Sequence, residues 1–454
     1  MEYLKYLQDK RHCSGNDGFD SLFIPDYLFD FQKHTVEWSL KKGRSAVFAD
    51  CGMGKTIMQL VWAQNVIEKT NKPVLILAPL AVSYQTQEEA TKFNLDSEVS
   101  TQPEKAKIYI TNYEKLDKFN PHDFAGIVCD ESSILKNFNG SIKSSINQFA
   151  RKIKYRLLCT ATAAPNDYIE FGTSSEALGY LGYMDMLNRF FKNQQNNSAM
   201  RSFYGEAPKW RFRGHSERPF WQWLCSWSLA YRKPSDLGFN DGDFILKPLS
   251  ENKHFIDNTK PLDNMLFSFA ASTLPEQRQE LRHTLKERCE LAVDIVRGKE
   301  DQSIIWCHLN EEADWLRVNL GNDCVEVSGK DKDEKKIEKF SQFTHGKAKV
   351  LITKPKIGAW GLNFQNCNHM VYFPSHSYEQ YYQSVRRCWR FGQKKEVTVD
   401  IITTPGGEKV LDNLQRKSDQ AVKMFDNLVA EMNNEKAILA IDKFKTEQEV
   451  PTWL

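Results

Sequence analysis

The stretch Ala49-Asp50-Cys51-Gly52-Met53-Gly54-Lys55-Thr56 decides how the rest of the chain is read. It follows the apolar run 45–49 and leads into a run of helical character from Ile57, so strand, glycine loop and helix succeed one another. That order builds a phosphate cradle. Glycines let consecutive N–H groups of Gly52, Met53 and Gly54 turn inward, and the helix N-terminus behind them favours an anion. Lys55 then reaches the β- and γ-phosphates, and the Thr56 hydroxyl holds Mg²⁺. Position 49 carries Ala where the commonest form of this loop has Gly. Cys51 is a small residue that such a loop tolerates, although a thiol there also opens it to chemical modification.

The chain of 454 residues is long enough for two or three domains with sizeable cores. Its formal net charge of +2 means that binding to a phosphate backbone must come from local basic clusters rather than a global field. No run of eighteen apolar residues implies a membrane span, and the start Met1-Glu2-Tyr3-Leu4-Lys5 lacks the apolar core of a signal peptide. The 10 cysteines are scattered with no C-x-x-C pair, a usage that fits reduced thiols in a cytoplasm rather than a disulfide frame or a zinc site.

Short apolar, β-rich runs alternate with helical segments over two long stretches. The first holds runs 45–49, 74–78, 107–111, 127–129 and 155–160, and the second holds 303–307, 324–327, 349–353, 369–373 and 397–402. Such alternation predicts parallel sheets covered on both faces, with ligands at the carboxyl ends of the strands. The region between, about 169–285, breaks the pattern and is rich in Trp, Phe, Tyr and Arg. The apolar positions of 408–432 fall near helical spacing and predict a helix packed on the second half.

Asp130-Glu131 closes the run 127–129. An acidic pair at a strand end is what Mg²⁺-dependent hydrolysis of a nucleoside triphosphate requires, Asp130 for the metal and Glu131 for the attacking water. Farther on, Gln383-Ser384-Val385-Arg386-Arg387-Cys388-Trp389-Arg390-Phe391-Gly392-Gln393 places Arg387 and Arg390 three apart, on one helix face, where two guanidiniums can clamp a γ-phosphate. Their distance from the loop in sequence predicts a nucleotide held between two lobes.

Taken in order, these motifs resemble the superfamily-two helicases, and within them the Swi/Snf type of DNA-dependent ATPase in a stand-alone bacterial or phage-like form. Gln32 in Phe29-Asp30-Phe31-Gln32-Lys33 matches the family's adenine-reading glutamine. Ala78-Pro79-Leu80-Ala81-Val82 matches motif Ia, and Ile110-Thr111-Asn112-Tyr113-Glu114 matches motif Ib. Asp130-Glu131-Ser132-Ser133-Ile134-Leu135-Lys136-Asn137 resembles the acidic motif, with a Lys-Asn ending typical of the Swi/Snf branch. Thr160-Ala161-Thr162, Ile304-Ile305-Trp306-Cys307 and Lys356-Ile357-Gly358-Ala359-Trp360-Gly361-Leu362-Asn363 stand where motifs III, IV and V belong, and the arginine segment resembles motif VI. Four departures stand out: Ser132-Ser133 replaces the branch's Ala-His, Ala161 replaces a Gly, Ala163 replaces the Pro that usually follows, and Arg386 stands where Gly usually precedes the first arginine.

The resemblance implies an α/β fold of two tandem RecA-like parallel-sheet lobes with a mostly helical aromatic and basic insertion between them. The expected divisions are an N-terminal segment 1–28, a first lobe 29–168, the insertion 169–285, a second lobe 286–432 and a tail 433–454. ATP and Mg²⁺ are the implied cofactors. Lys55, Asp130, Glu131, Gln383, Arg387 and Arg390 are the expected catalytic set, Gln32, the loop residues and Gly361 the nucleotide contacts, and Thr56 with Asp130 the metal site. Pro79, Thr111, Lys356, Arg211 and Arg213 are the expected nucleic-acid contacts.

The tryptophans Trp210, Trp221, Trp223 and Trp227 lie among basic residues, and two readings stand open: bases stacked on exposed rings, or a small aromatic core with solvated arginines. The implied activity is DNA-stimulated ATP hydrolysis by a translocase tracking along duplex DNA. The alternatives are a strand-separating DNA or RNA helicase, an ATP-gated clamp, and the motor subunit of a restriction or defence system with a separate protein partner.

Overall fold

The computed structural model describes residues 15–99, 107–136, 141–164, 167–193, 210–256, 274–359 and 362–445. All ten strands expected from the apolar runs are present, in two parallel sheets. The first is built from β1 (Arg44–Ala49), β2 (Val74–Leu77), β3 (Ser97–Val99), β4 (Ile108–Thr111), β5 (Gly126–Asp130) and β6 (Tyr155–Cys159). An antiparallel pair, β7 (Phe191–Asn193) and β8 (Trp210–Phe212), follows, and then β9 (Ser228–Tyr231). The second sheet comprises β10 (Leu249–Phe255), β11 (Ser303–Trp306), β12 (Cys324–Val327), β13 (Val350–Thr353), β14 (His369–Tyr372) and β15 (Val397–Thr403).

Strand order is β3-β4-β2-β5-β6-β1-β9 in the first sheet and β10-β15-β14-β11-β13-β12 in the second. In the first, β2, β4, β5 and β6 are buried on both faces, which is why their sequences read as continuous apolar runs rather than as alternation. The register pairs Asp130 with Cys159 and Val47 with Cys159, so the carboxyl ends of β5, β6 and β1 finish side by side. Functional loops leave from those three ends.

The stretch 169–285 is less separate than expected. Its strand β9 pairs in parallel with β1 and closes the first sheet, while β10 pairs with β15 and closes the second. Both escape a sequence reading for physical reasons. β9 is four residues following the helix Glu217–Trp227 with no turn residue between, and β10 is a mostly polar and exposed edge strand that lacks an apolar run. Trp221, Trp223 and Trp227 lie at 3%, 1% and 0% exposure in the first lobe's core. Trp223 and Trp227 meet edge to face at 5.3 Å, so for these rings the core reading holds.

The C-terminal helix also departs from expectation. It runs Glu408–Lys445, beyond the predicted end, and does not serve the second lobe alone. Val410, Leu411 and Leu414 join the second core, whereas Met424, Phe425, Leu428 and Met432 join the first. Among the described residues, no helix is long and apolar enough to cross a membrane.

Candidate active site between the lobes

The phosphate loop leaves the end of β1 and ends at Gly54, the left-handed N-cap of the helix Lys55–Thr70. Gly52 and Gly54 have φ of 88° and 77°, which a side chain would strain. Space forbids one as well. A Cβ on Gly54 would lie 2.3 Å from Gln32 Nε2, and one on Gly52 would lie 3.0 Å from the ring of Phe391. Gln32 braces the loop directly, donating to the Met53 carbonyl at 3.0 Å and accepting from the Phe29 N–H at 3.1 Å. Lys55 Nζ is held within the loop, donating to the carbonyls of Ala49 (2.9 Å) and Asp50 (3.2 Å).

At the end of β5, Asp130 accepts from Gln59 Nε2 at 2.7 Å. Burial first, and then the charge of Glu131, push the Asp130 carboxyl up to about 6. Glu131 sits at φ 50° and is 5% exposed, and its carboxylate accepts from the Thr160 hydroxyl at 3.3 Å. The strained backbone turns this side chain back toward the end of β6 instead of along the strand. Glu89, on the helix Leu80–Lys92, reaches the Thr56 hydroxyl, and burial raises its carboxyl while Arg390 and Lys92 pull it down.

The second lobe enters this site through the helix Tyr378–Cys388, whose N-cap Ser377 accepts from the Gln380 N–H. Residues 379, 382, 383, 386 and 387 form the face turned to the first lobe. Glu379 pairs with Lys136, Tyr382 OH donates to Asp50, and Gln383 donates to the Thr162 hydroxyl at 3.4 Å. Arg387 Nη2 lies 3.7 Å from Cys51 Sγ, and its other nitrogens donate to the carbonyls of Gln383 and Leu362. Arg386 bridges the cleft most directly, with Nη2 2.8 Å from Asp50 Oδ2 and 2.9 Å from the Cys51 carbonyl.

Arg390 is half-buried, and burial followed by the neighbouring Arg387 lowers its guanidinium to about 10. Its Nε is buried without a hydrogen-bond partner. A buried, partnerless N–H beside a second guanidinium, facing a glycine loop, is a donor set that fits an anionic phosphate group. Thr56, Glu89 and Asp130 supply the hard oxygens that fit Mg²⁺. Beside the cluster an interlobe cavity of about 600 Å³ opens, lined among others by Asp50, Thr162, Tyr382, Arg386 and Phe391.

The structure thus brings Gln32, the loop, Asp130, Glu131, Gln383, Arg387 and Arg390 to one cleft. Gly361 lies outside the described residues. Of the expected nucleic-acid contacts, Lys356, Arg211 and Arg213 are exposed and Pro79 is partly so. Thr111 is corrected: at 3% exposure inside the end of β4, its side chain offers no surface to a nucleic acid. Sequence reading missed Gln59, Glu89, Tyr382 and Arg386. Gln59 and Glu89 lie on ordinary-looking helices, but Arg386 carried a signal, being a charge where Gly was expected.

Comparison with known proteins agrees with this two-part site. Residues 28–166 match the family described as "Type III restriction enzyme, res subunit", and residues 286–392 match "Helicase conserved C-terminal domain". The chain is 26% identical over 239 residues, 47% of its length, to the human DNA annealing helicase and endonuclease ZRANB3, of which it covers 22%. It is 29% identical over 198 residues, 36% of its length, to putative protein p41 of Acyrthosiphon pisum secondary endosymbiont phage 1, of which it covers 43%. Among solved structures, the Sulfolobus solfataricus SWI2/SNF2 ATPase core in complex with dsDNA aligns over 85% of this chain and 90% of that one, with 16% identity and a TM-score of 0.41. The chain therefore spans less than half the length of the curated relatives it matches.

Proposed function

We propose, from the two helicase-type family matches and the divided site, that the chain is a superfamily-two motor of the Swi/Snf type, which hydrolyses ATP in the interlobe cleft and tracks along duplex DNA. One observation carries the reading. The helix Tyr378–Cys388 of the second lobe brings Gln383, Arg386 and Arg387 onto the phosphate loop and motif III of the first. A site divided in this way converts the state of a phosphate into the spacing of two lobes, which is what a motor needs and a simple hydrolase does not.

The roles follow from the chemistry of the side chains. Lys55, Arg387 and Arg390 would hold the phosphates and the charge that develops on the leaving group. Glu131, steered by its backbone and by Thr160, would accept a proton from the attacking water. Thr56 and Asp130 would hold Mg²⁺, which when bound neutralises phosphate charge. The exposed Arg211, Arg213 and Lys356 would grip a backbone without reading sequence.

ATP hydrolysis measured with duplex DNA, single-stranded DNA, forked DNA and RNA tests the reading. Duplex should stimulate most, and both Lys55→Ala and Glu131→Gln should abolish turnover. Stronger stimulation by RNA or single strands points instead to a strand-separating helicase. Retention of function in the ATP-trapping Glu131→Gln variant points to a clamp.

A further inference from the structure

Asp50 is the residue on which the two lobes converge. Its Oδ1 accepts from the Cys51 N–H at 2.7 Å and from the Tyr382 hydroxyl, while its Oδ2 pairs with Arg386. Its backbone carbonyl accepts from Lys55, the lysine assigned to the phosphates. Arg386 in turn donates to the carbonyl of Cys51, the next loop residue. One guanidinium from the second lobe thus grips two successive residues at the entrance of the loop, close to the lysine. At 1% exposure for Arg386 and 6% for Asp50, both charges are shielded from solvent while the lobes are together.

Resting on the reading of the cleft as an ATPase site, we infer that Arg386 is a positioning residue, which shapes the phosphate loop through Asp50 only while the lobes are together. Arg387 and Arg390 address the phosphates, whereas Arg386 addresses the loop that holds them. Every atom in this contact belongs to the protein, so this part of closure has no nucleotide in it.

A buried ion pair roughly cancels its own desolvation, so the pair sets the register of closure without locking it. The adjoining cavity, lined by Asp50, Tyr382 and Arg386, leaves room on one side for water to reach the charges as the lobes part. Removing one partner is different, because it leaves the other charge buried and unpaired in the closed cleft. Either single loss therefore favours the open arrangement, and removing both charges together does not.

The test is a double-mutant cycle on the full chain with Arg386→Gln, Asp50→Asn and the double variant. Steady-state ATPase and the radius of gyration without nucleotide, from small-angle X-ray scattering, are the two readouts. Each single variant should lower kcat about tenfold or more while KM for ATP moves less than about threefold, because the lost interaction belongs to the closed, reacting state. Each should also expand the protein, and the double variant, with an amide pair in place of the ions, should recover most of both losses. Arg386→Lys, which keeps the charge, should fall between wild type and Arg386→Gln.

Single variants with wild-type kcat and radius of gyration overturn the proposal, as does a double variant whose losses simply add. Should Arg386→Gln fail to fold by circular dichroism, Tyr382→Phe removes only the hydroxyl on Asp50. It should shift both readouts in the same direction, and no shift overturns the proposal. A wild-type protein without ATPase activity defeats the motor reading, while the scattering comparison still decides the role of Arg386.

Discussion

Asp130 is a carboxylate held at a cost to the fold. Its carboxyl is raised to about 6 because it is buried beside Glu131, so the folded protein holds that proton more tightly than the unfolded chain does. The sign follows from linkage. Below about pH 4 both states are protonated and nothing is lost; the penalty grows as pH rises, and it is complete above about pH 6. Asp130→Asn removes the charge and should stabilise the metal-free protein at pH 7 by on the order of 3 kcal/mol, an advantage that vanishes near pH 4 in thermal melts. Mg²⁺ held at Asp130, as proposed, would reverse the balance because it requires the carboxylate, so its affinity should rise with pH through about 6 in wild type. A pH-independent affinity in calorimetric titration counts against Asp130 as a ligand.

The helix Glu217–Trp227 buries the aromatic residues of this stretch, whereas the β7–β8 pair leaves basic ones exposed. The helix turns Phe220, Trp223 and Trp227 into the first lobe, where they are at most 1% exposed. Trp227→Ala should cost about 3–5 kcal/mol in denaturant unfolding, with the DNA affinity of the folded fraction unchanged. β8 leaves Arg211 exposed, and Arg213 follows it at the surface with Nε donating to the Phe191 carbonyl. Charge reversal at Arg211 and Arg213 should weaken DNA binding and flatten its salt dependence, by a slope of roughly one for each phosphate that is no longer neutralised. Binding that is unchanged across a salt series removes the β7–β8 pair from the proposed DNA track. Sequence spacing put tryptophans and arginines together, but it could not separate them, because burial depends on what packs above the helix.

At the scale of the molecule, the described residues join the lobes in several places, among them the chain between β9 and β10, the helix Tyr378–Cys388 and the helix Glu408–Lys445. The last contributes Leu414 to one core and Leu428, fully buried, to the other. It also accepts Arg232 at the Val422 carbonyl, and Met432 Sδ accepts the Ala230 N–H. Leu428→Ala should therefore destabilise by about 2–5 kcal/mol in denaturant unfolding and loosen the helix from the first lobe, seen as faster amide exchange around β9. Protection equal to wild type there rejects the helix as a tie between lobes.

The amino-acid sequence by itself determined the two parallel sheets, because strands buried on both faces must be continuously apolar, and it determined the phosphate loop, because glycine and lysine at fixed spacing have few other uses. It also determined the order of the motifs from Gln32 to Gln393. Only the tertiary structure decided that β9 and β10 close the two sheets, that Thr111 is covered, that the tryptophans are core, and that Arg386 reaches Asp50 across the cleft. The physical reason is common to all four. Local pattern records which face of an element is apolar, whereas edge pairing, burial and contact between distant lobes depend on which other element arrives there. In Arg386 the sequence recorded a charge out of place, and the fold supplied its partner, Asp50, from the opposite lobe.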